Sequence, residues 1–258
     1  MQPELAWRRA GTALVRVALD LVYPPRCGGC GRRGAWLCMA CLAAMQPPLE
    51  AGWICAVCRQ PLRAGAGGLY CPDLCDSGGL SGVLCAGAYA DPLASAIQRF
   101  KYGQDRYEPW RVLADPLAVL LAASVAAAPL PWPEGVLPHL LAVPLHPRRR
   151  RERGFNQAAV LATRLGARLG WPMLAGLVRV RYTLPQAQYR LTVDERAANL
   201  DEAFAWRGGP PPAGPLVLVD DVYTSGVTLG LCAEALRAAG GGPVYGLALA
   251  QATGPPLL

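Results

Sequence analysis

The stretch LVLVDDVYTSGVTL, residues 216–229, decides how this chain folds. Its four leading apolar residues, Leu216 to Val219, have the length and character of a strand buried on both faces, as in a parallel sheet. Asp220 and Asp221 follow at the predicted strand's carboxyl end, where open α/β sheets place their ligands. Thr224, Ser225, Gly226, Val227 and Thr228 then form a small-residue turn leading into a helical pattern. Gly226 lets the backbone come close to a ligand, and the free N–H groups at a helix start suit a phosphate. Two carboxylates beside a phosphate cradle are compatible when the ligand is a phosphorylated sugar. The acids then accept hydrogen bonds from ribose hydroxyls while the turn holds the 5′-phosphate.

Composition sets the outer limits. A chain of 258 residues accommodates one sizeable α/β domain and a small extra module. With 53% hydrophobic and 17% charged residues it is globular rather than disordered. A net charge of +7 points modestly to anionic partners. The first residues, MQPELAWRRAGTALVRVALDLVYPP, carry acid and arginine within an amphipathic pattern and do not read as a secretion signal. A helix over 1–22 with Trp7, Leu14, Val17 and Leu21 on one face is expected to dock on the body of the protein. The most apolar run, residues 117–130, is shorter than the ~20 residues that span a bilayer, so it predicts a buried helix and no membrane span. A cytoplasmic location is expected.

Eight of the ten cysteines lie between residues 27 and 75, in four close pairs: Cys27/Cys30, Cys38/Cys41, Cys55/Cys58 and Cys71/Cys75. C-x-x-C and C-x-x-x-C spacings place two thiolates on one tetrahedral metal. Eight thiolates suffice for two zinc ions of four cysteines each, and sequential pairing is the simplest arrangement, with interleaving as the alternative. Disulfides or an iron–sulfur cluster are weaker readings, the first needing an oxidising compartment and the second fitting regular knuckle pairs poorly. Four sulfurs leave no open coordination position, so the metal is structural. Cys85 and Cys232 stand apart, on a strand-like and a helical apolar pattern, and read as core thiols.

The remaining elements alternate as α/β. SGGLSG (77–82) reads as a linker, VLCAGAYA as a strand, and PLASAIQRFKYG as a helix ending at Gly103. LLAVPLHP (140–147) is an apolar run broken by prolines, and Asn156 caps a helix from Gln157 to Gly170. LVRVRYT (177–183), AFAW (203–206) and VYGLALA (244–250) read as strands, with a helix over 227–239. Between the apolar run and the capped helix lies the basic cluster Arg148, Arg149, Arg150, Arg151 and Arg153. Three roles stand open for it: a solvated surface run, pyrophosphate recognition, or nucleic-acid contact.

Taken in order, the cysteine knuckles, FKYG (100–103), VPLHPRRRRERGFNQ (143–157), RYTLPQAQYRLTVDERAANL (181–200) and VDDVYTSGVTL resemble the ComF (ComFC/GntX-like) family, over residues 23–250. The segment 216–229 resembles the phosphoribosyl pyrophosphate (PRPP) loop of type I phosphoribosyltransferases. The resemblance implies a type I phosphoribosyltransferase-like parallel sheet flanked by helices (81–258) behind a zinc-ribbon-like module (23–80). It implies that Asp220 and Asp221 hold ribose hydroxyls, that residues 224–228 hold the 5′-phosphate, and that Arg148, Arg153 and Lys101 contact PRPP phosphates. For Lys101, the sole lysine, an ordinary helix-end charge is the alternative. A lid over 183–199 with Thr183, Gln186, Arg196 and Asn199 is implied as well, and its length and polarity suit that role. Expected cofactors are Zn2+ in one or two sites and Mg2+ with PRPP. Expected partners are PRPP or a nucleotide, single-stranded DNA at Arg149, Arg150 and Arg151, and other DNA-uptake proteins. No G-x-x-x-x-G-K-[ST] stretch supports an ATPase, and Met1-Gln2-Pro3 lacks the N-terminal cysteine of a glutaminase.

Overall fold

The structure, a computed structural model, describes residues 24–65, 68–75, 79–103, 110–181 and 203–252. The expected helix over 1–22 and the lid residues Thr183, Gln186, Arg196 and Asn199 lie outside these. The first half of the chain runs α1 (Met39–Ala44), β1 (Trp53–Ile54), β2 (Arg63–Gly65), β3 (Gly68–Tyr70), β4 (Leu80–Ala88), α2 (Leu93–Tyr102) and α3 (Ala114–Ala127). The second half runs β5 (His139–Ala142), α4 (Pro147–Arg153), α5 (Gln157–Leu169), β6 (Leu177–Arg179), β7 (Phe204–Trp206), β8 (Leu216–Tyr223), α6 (Val227–Ala238) and β9 (Val244–Gln251).

Five strands form the central sheet in the order β1-β4-β9-β8-β5. β4, β9, β8 and β5 are parallel, and β1 closes one edge antiparallel to β4. Alternate residues of β8 serve two cores: Val217 and Val219 pack with α2, α3 and α5, whereas Leu216 and Leu218 pack with α6. A strand with helices on both faces must be apolar throughout, and every residue of β9 is buried. The apolar run expected as a helix is α3, whose Leu117, Leu121 and Val125 point into the first core. No helix among the described residues is long and apolar enough to cross a membrane.

The cysteine-rich segment is built into this body. Trp53 and Ile54 of β1 pair with Leu84 and Val83 of β4. The Trp53 ring meets Trp132 and Tyr245 edge-on at centroid distances of 5.9 and 5.6 Å, so the module's second half shares the domain's core.

Four local expectations differ from what is found. β8 continues through Asp220 and Asp221 to Tyr223, because Asp220 and Val222 still register against Ala248 and Ala250 of β9. The end of the expected linker, from Leu80, is already β4, since Leu80 is buried and pairs with Val244. The strand at 177 ends at Arg179, where its antiparallel partner β7 begins at Phe204. The arginine run is a helix, α4, with Pro147 in its first turn and His146 as N-cap, the imidazole Nδ1 accepting from the Arg148 N–H at 3.2 Å.

Candidate functional site

Near the carboxyl end of β8, between β5 and β9, Asp220 and Asp221 point into different surroundings. Asp221 is buried, and its Oδ1 lies 2.7 Å from Lys101 Nζ at the end of α2. Asp220 is half-buried and accepts the Asp221 N–H at 2.8 Å. Burial, then the neighbouring Asp221 charge, pushes the Asp220 pKa up to about 7, against the pull of Lys101 and Arg153. Burial pulls the Lys101 ammonium down, but the Asp221 carboxylate more than offsets it and the pKa is raised. Lys101 is therefore a charged partner of the acid pair, a closer tie than an ordinary helix-end charge.

A cavity of about 230 Å3 opens over the acids, lined also by Arg149, Arg153, Arg179 and Thr228. The RGFNQ run builds one wall residue by residue. Arg153 donates to the Tyr102 hydroxyl at 2.8 Å and stacks over that ring, and it reaches Gln157 Oε1 at 3.3 Å. Gly154 takes the left-handed conformation that ends α4. Phe155 packs against Phe100 at 5.8 Å, with Arg111 over its face. Asn156 caps α5 by accepting the Ala158 N–H and ties down the end of β5 by donating to the Val143 carbonyl. Gln157, fully buried, donates to the Lys101 carbonyl at 3.2 Å and so joins this wall to the lysine.

The expected arginines separate along α4. Arg149 and Arg153, four residues apart on one helix face, line the acid cavity. Arg148 does not line it; the side chain is exposed and pairs with Glu152 at 3.3 Å. Arg150 borders a second, larger cavity of about 750 Å3, and Arg151 is exposed. Thr228 also lines the cavity, and the helix that carries it, α6, starts at Gly226, a left-handed N-cap (φ 83°) with no side-chain cap. The first N–H groups of α6 therefore remain available to an anion beside Thr228. Sequence reasoning does not single out Tyr102, Gln157 or Arg179. The first two flank residues that it does, and Arg179 is signalled by a charge within an apolar strand pattern.

The eight clustered cysteines form two groups, Cys27/Cys30/Cys38/Cys41 and Cys55/Cys58/Cys71/Cys75, with all sulfurs of a group within 4.8 Å of one another. This is the sequential pairing. Sulfurs around a tetrahedral zinc with Zn–S of about 2.3 Å stand about 3.8 Å apart. Cys30 and Cys38 are 3.8 Å apart and Cys58 and Cys71 are 3.5 Å apart, fitting a shared metal. Backbone N–H groups of Cys38 and Val57 point at the sulfurs of Cys27 and Cys55 at 3.3 and 3.4 Å. Burial pushes the Cys27 thiol up, but N–H donors of Cys30, Cys38 and Gly29 outweigh it and bring the pKa to about 6, whereas burial and the neighbouring cysteines raise Cys41. Cys85 and Cys232 are buried thiols, and burial raises both, Cys85 to about 12. Arg99 donates to the Cys27 and Gly28 carbonyls at 2.6 and 2.9 Å, fastening the first knuckle to α2.

Comparison with known proteins bears on the cysteine module and on the family of the chain. Residues 18–75 match a double zinc ribbon domain, which together with the two clusters supports structural zinc. Competence protein F of Haemophilus influenzae is 36% identical over 61% of this chain and 67% of its own. DNA utilization protein YhgH of Salmonella typhi is 31% identical over 78% of this chain and 89% of its own. A solved allosteric regulatory enzyme of purine biosynthesis aligns with 59% of this chain and 30% of its own at TM-score 0.37 and 16% identity, a likeness too slight to bear on function. With a double zinc ribbon ahead of a parallel α/β sheet, and relatives matched along most of their length, this chain belongs to the ComF family.

Proposed function

We propose that this chain serves DNA uptake or utilization, in the cytoplasm, by binding PRPP with Mg2+ at the acid cavity. One observation carries the ligand assignment. A single small cavity brings Asp220 and Asp221 together with Arg149, Arg153 and the uncapped start of α6. Anion donors and carboxylate acceptors share its lining, which is the polarity of a phosphorylated sugar. Asp220 and Asp221 accept ribose hydroxyls, Thr224 to Thr228 hold the 5′-phosphate, and Arg149 and Arg153 meet the pyrophosphate. If Mg2+ binds with the ligand, the carboxylates of Asp220 and Asp221 are the side chains here that would hold it, and it would supply charge neutralisation for the leaving pyrophosphate. The rest of the work is positioning, since loss of pyrophosphate from C1′ needs no protein nucleophile. The DNA role is supported by the names of the relatives, a competence protein and DNA utilization proteins.

Calorimetry with PRPP and Mg2+ tests the site. Asp220→Ala with Asp221→Ala is expected to weaken binding by about 3 kcal/mol or more, two charge-assisted hydrogen bonds contributing roughly 1.5 to 3 each. Equal affinity of wild type and double variant overturns the assignment. Pyrophosphate release with a nucleobase panel, with and without single-stranded DNA, then separates transfer from binding alone.

A further inference from the structure

The knuckles at residues 27–31 and 55–59 differ in the residue that follows the second cysteine, and that difference leads to the phosphate turn. In the first knuckle the residue after Cys30 is Gly31, in the left-handed region at φ 77°, with its N–H on the Cys27 carbonyl at 2.8 Å. In the second, the residue after Cys58 makes the same bond, to the Cys55 carbonyl at 3.1 Å, with φ 63°, and that residue is Arg59. The turn calls for glycine, because a Cβ disfavours this conformation. A side chain kept there against backbone preference points to a role for the side chain.

The guanidinium of Arg59 crosses to the end of β8 and the turn that follows it. It donates to the Thr224 carbonyl at 2.5 Å and lies 5.7 Å from the Tyr223 ring centroid. The Tyr223 hydroxyl, buried, donates back to the Ala56 carbonyl inside the same knuckle at 2.8 Å. Gly226 closes the contact, since a Cβ there would meet the Tyr223 ring at 3.1 Å and the Ala56 carbonyl at 3.4 Å. Two hydrogen bonds, spanning 165 and 167 residues of sequence, thus hold Tyr223 to Gly226 against the thiolate knuckle.

We propose that the second four-cysteine cluster positions the phosphate turn, with Arg59 as the positioning residue, so that metal held by Cys55, Cys58, Cys71 and Cys75 sets anion affinity at residues 224–228. The proposal rests on reading that turn as the phosphate site. A knuckle held by metal presents Arg59 and the Ala56 carbonyl from fixed positions. The turn is then ordered before ligand arrives, which reduces the ordering entropy that binding would otherwise require.

Arg59→Gly separates this role from simple stability of the knuckle. Glycine suits the left-handed backbone, so the zinc-loaded variant is expected to keep its zinc content and its unfolding midpoint. Hydrogen exchange of the amides over residues 223–230 is nonetheless expected to quicken about tenfold, and PRPP affinity to fall about tenfold, the loss of one charged hydrogen bond. Unchanged exchange over 223–230 in Arg59→Gly overturns the coupling. If wild type itself fails to bind PRPP, the ligand reading falls, and the exchange comparison still decides whether the knuckle orders the turn. Equal PRPP affinity of a binding-competent wild type and Arg59→Gly overturns the proposal even if exchange changes.

Discussion

Asp220 sits beside a second carboxylate whose countercharge, Lys101, is already engaged, and burial with that neighbour holds its pKa at about 7. The unfolded chain releases the same proton near pH 4. Between those values the native state binds a proton the unfolded state lacks, so this group makes stability fall as pH rises through the window. Each pH unit over which the proton is held is worth about 1.4 kcal/mol. Asp220→Asn keeps an acceptor for the Asp221 N–H and removes the titration. Urea unfolding of the unliganded protein from pH 5 to 8 is expected to show a downward slope for wild type and a flatter one for Asp220→Asn, with the variant more stable at pH 8. An identical slope in both counts against the shifted proton. Lys101 gives a companion case. Lys101→Met leaves the buried Asp221 carboxylate uncompensated and is expected to destabilise by about 3 to 5 kcal/mol. Adding Asp221→Asn should restore most of that loss, whereas an ordinary helix-end charge would show no such coupling in the double-mutant cycle.

Helix α4 shows how far an element is legible in sequence. The arginines are legible as an anion or nucleic-acid patch, but their faces are not, because the prolines before them read as a break rather than as a helix start. Once His146 and Pro147 start a helix, spacing does the sorting: Arg149 and Arg153 turn inward, and Arg148, Arg150 and Arg151 lie exposed. The α5 cap at Asn156 and the cysteine pairing are legible because their signals are local. The reach of Arg59 to Thr224 is not, since nothing near residue 59 marks a partner 165 positions away. The acids stand out in the sequence as candidate site residues, yet their place inside β8 depends on the pairing with β9, which no local pattern reports. The sorted faces yield a prediction for DNA. Arg148→Ala with Arg150→Ala and Arg151→Ala is expected to flatten the salt dependence of single-stranded DNA binding by about 2 in the log–log slope, at roughly 0.7 for each phosphate no longer engaged. Affinity should fall for all sequences alike and PRPP binding should hold. Arg149→Ala with Arg153→Ala should do the reverse. DNA binding absent from wild type at low salt removes α4 as a nucleic-acid element.

Across the whole molecule, each cysteine cluster is tied to an element that contributes to the acid cavity, the first to α2 and the second to the turn that leads into α6. The first holds α2 through Arg99, and two residues further along the helix Lys101 meets Asp221. The second holds the start of α6 through Arg59 and Tyr223. Neither cluster stands apart from the α/β body: Cys27 and Cys41 belong to the core beneath α2 and α3, and β1 is an edge of the main sheet. Metal should therefore stabilise the entire fold. Structural zinc contributes roughly 10 to 16 kcal/mol of binding free energy, and two such sites together exceed the 5 to 15 kcal/mol by which a whole domain is ordinarily stable. Elemental analysis is expected to find two zinc ions per chain. Chelation should lower the unfolding midpoint of the complete molecule in one transition and alter the emission of Trp53, which lies two residues before Cys55 in the shared aromatic cluster. Hydrogen exchange should quicken in α2 and in the first turn of α6 together with the knuckles. Chelated protein that keeps its midpoint, or loses protection in the cysteine segment alone, shows that the ribbons decorate the fold without supporting it.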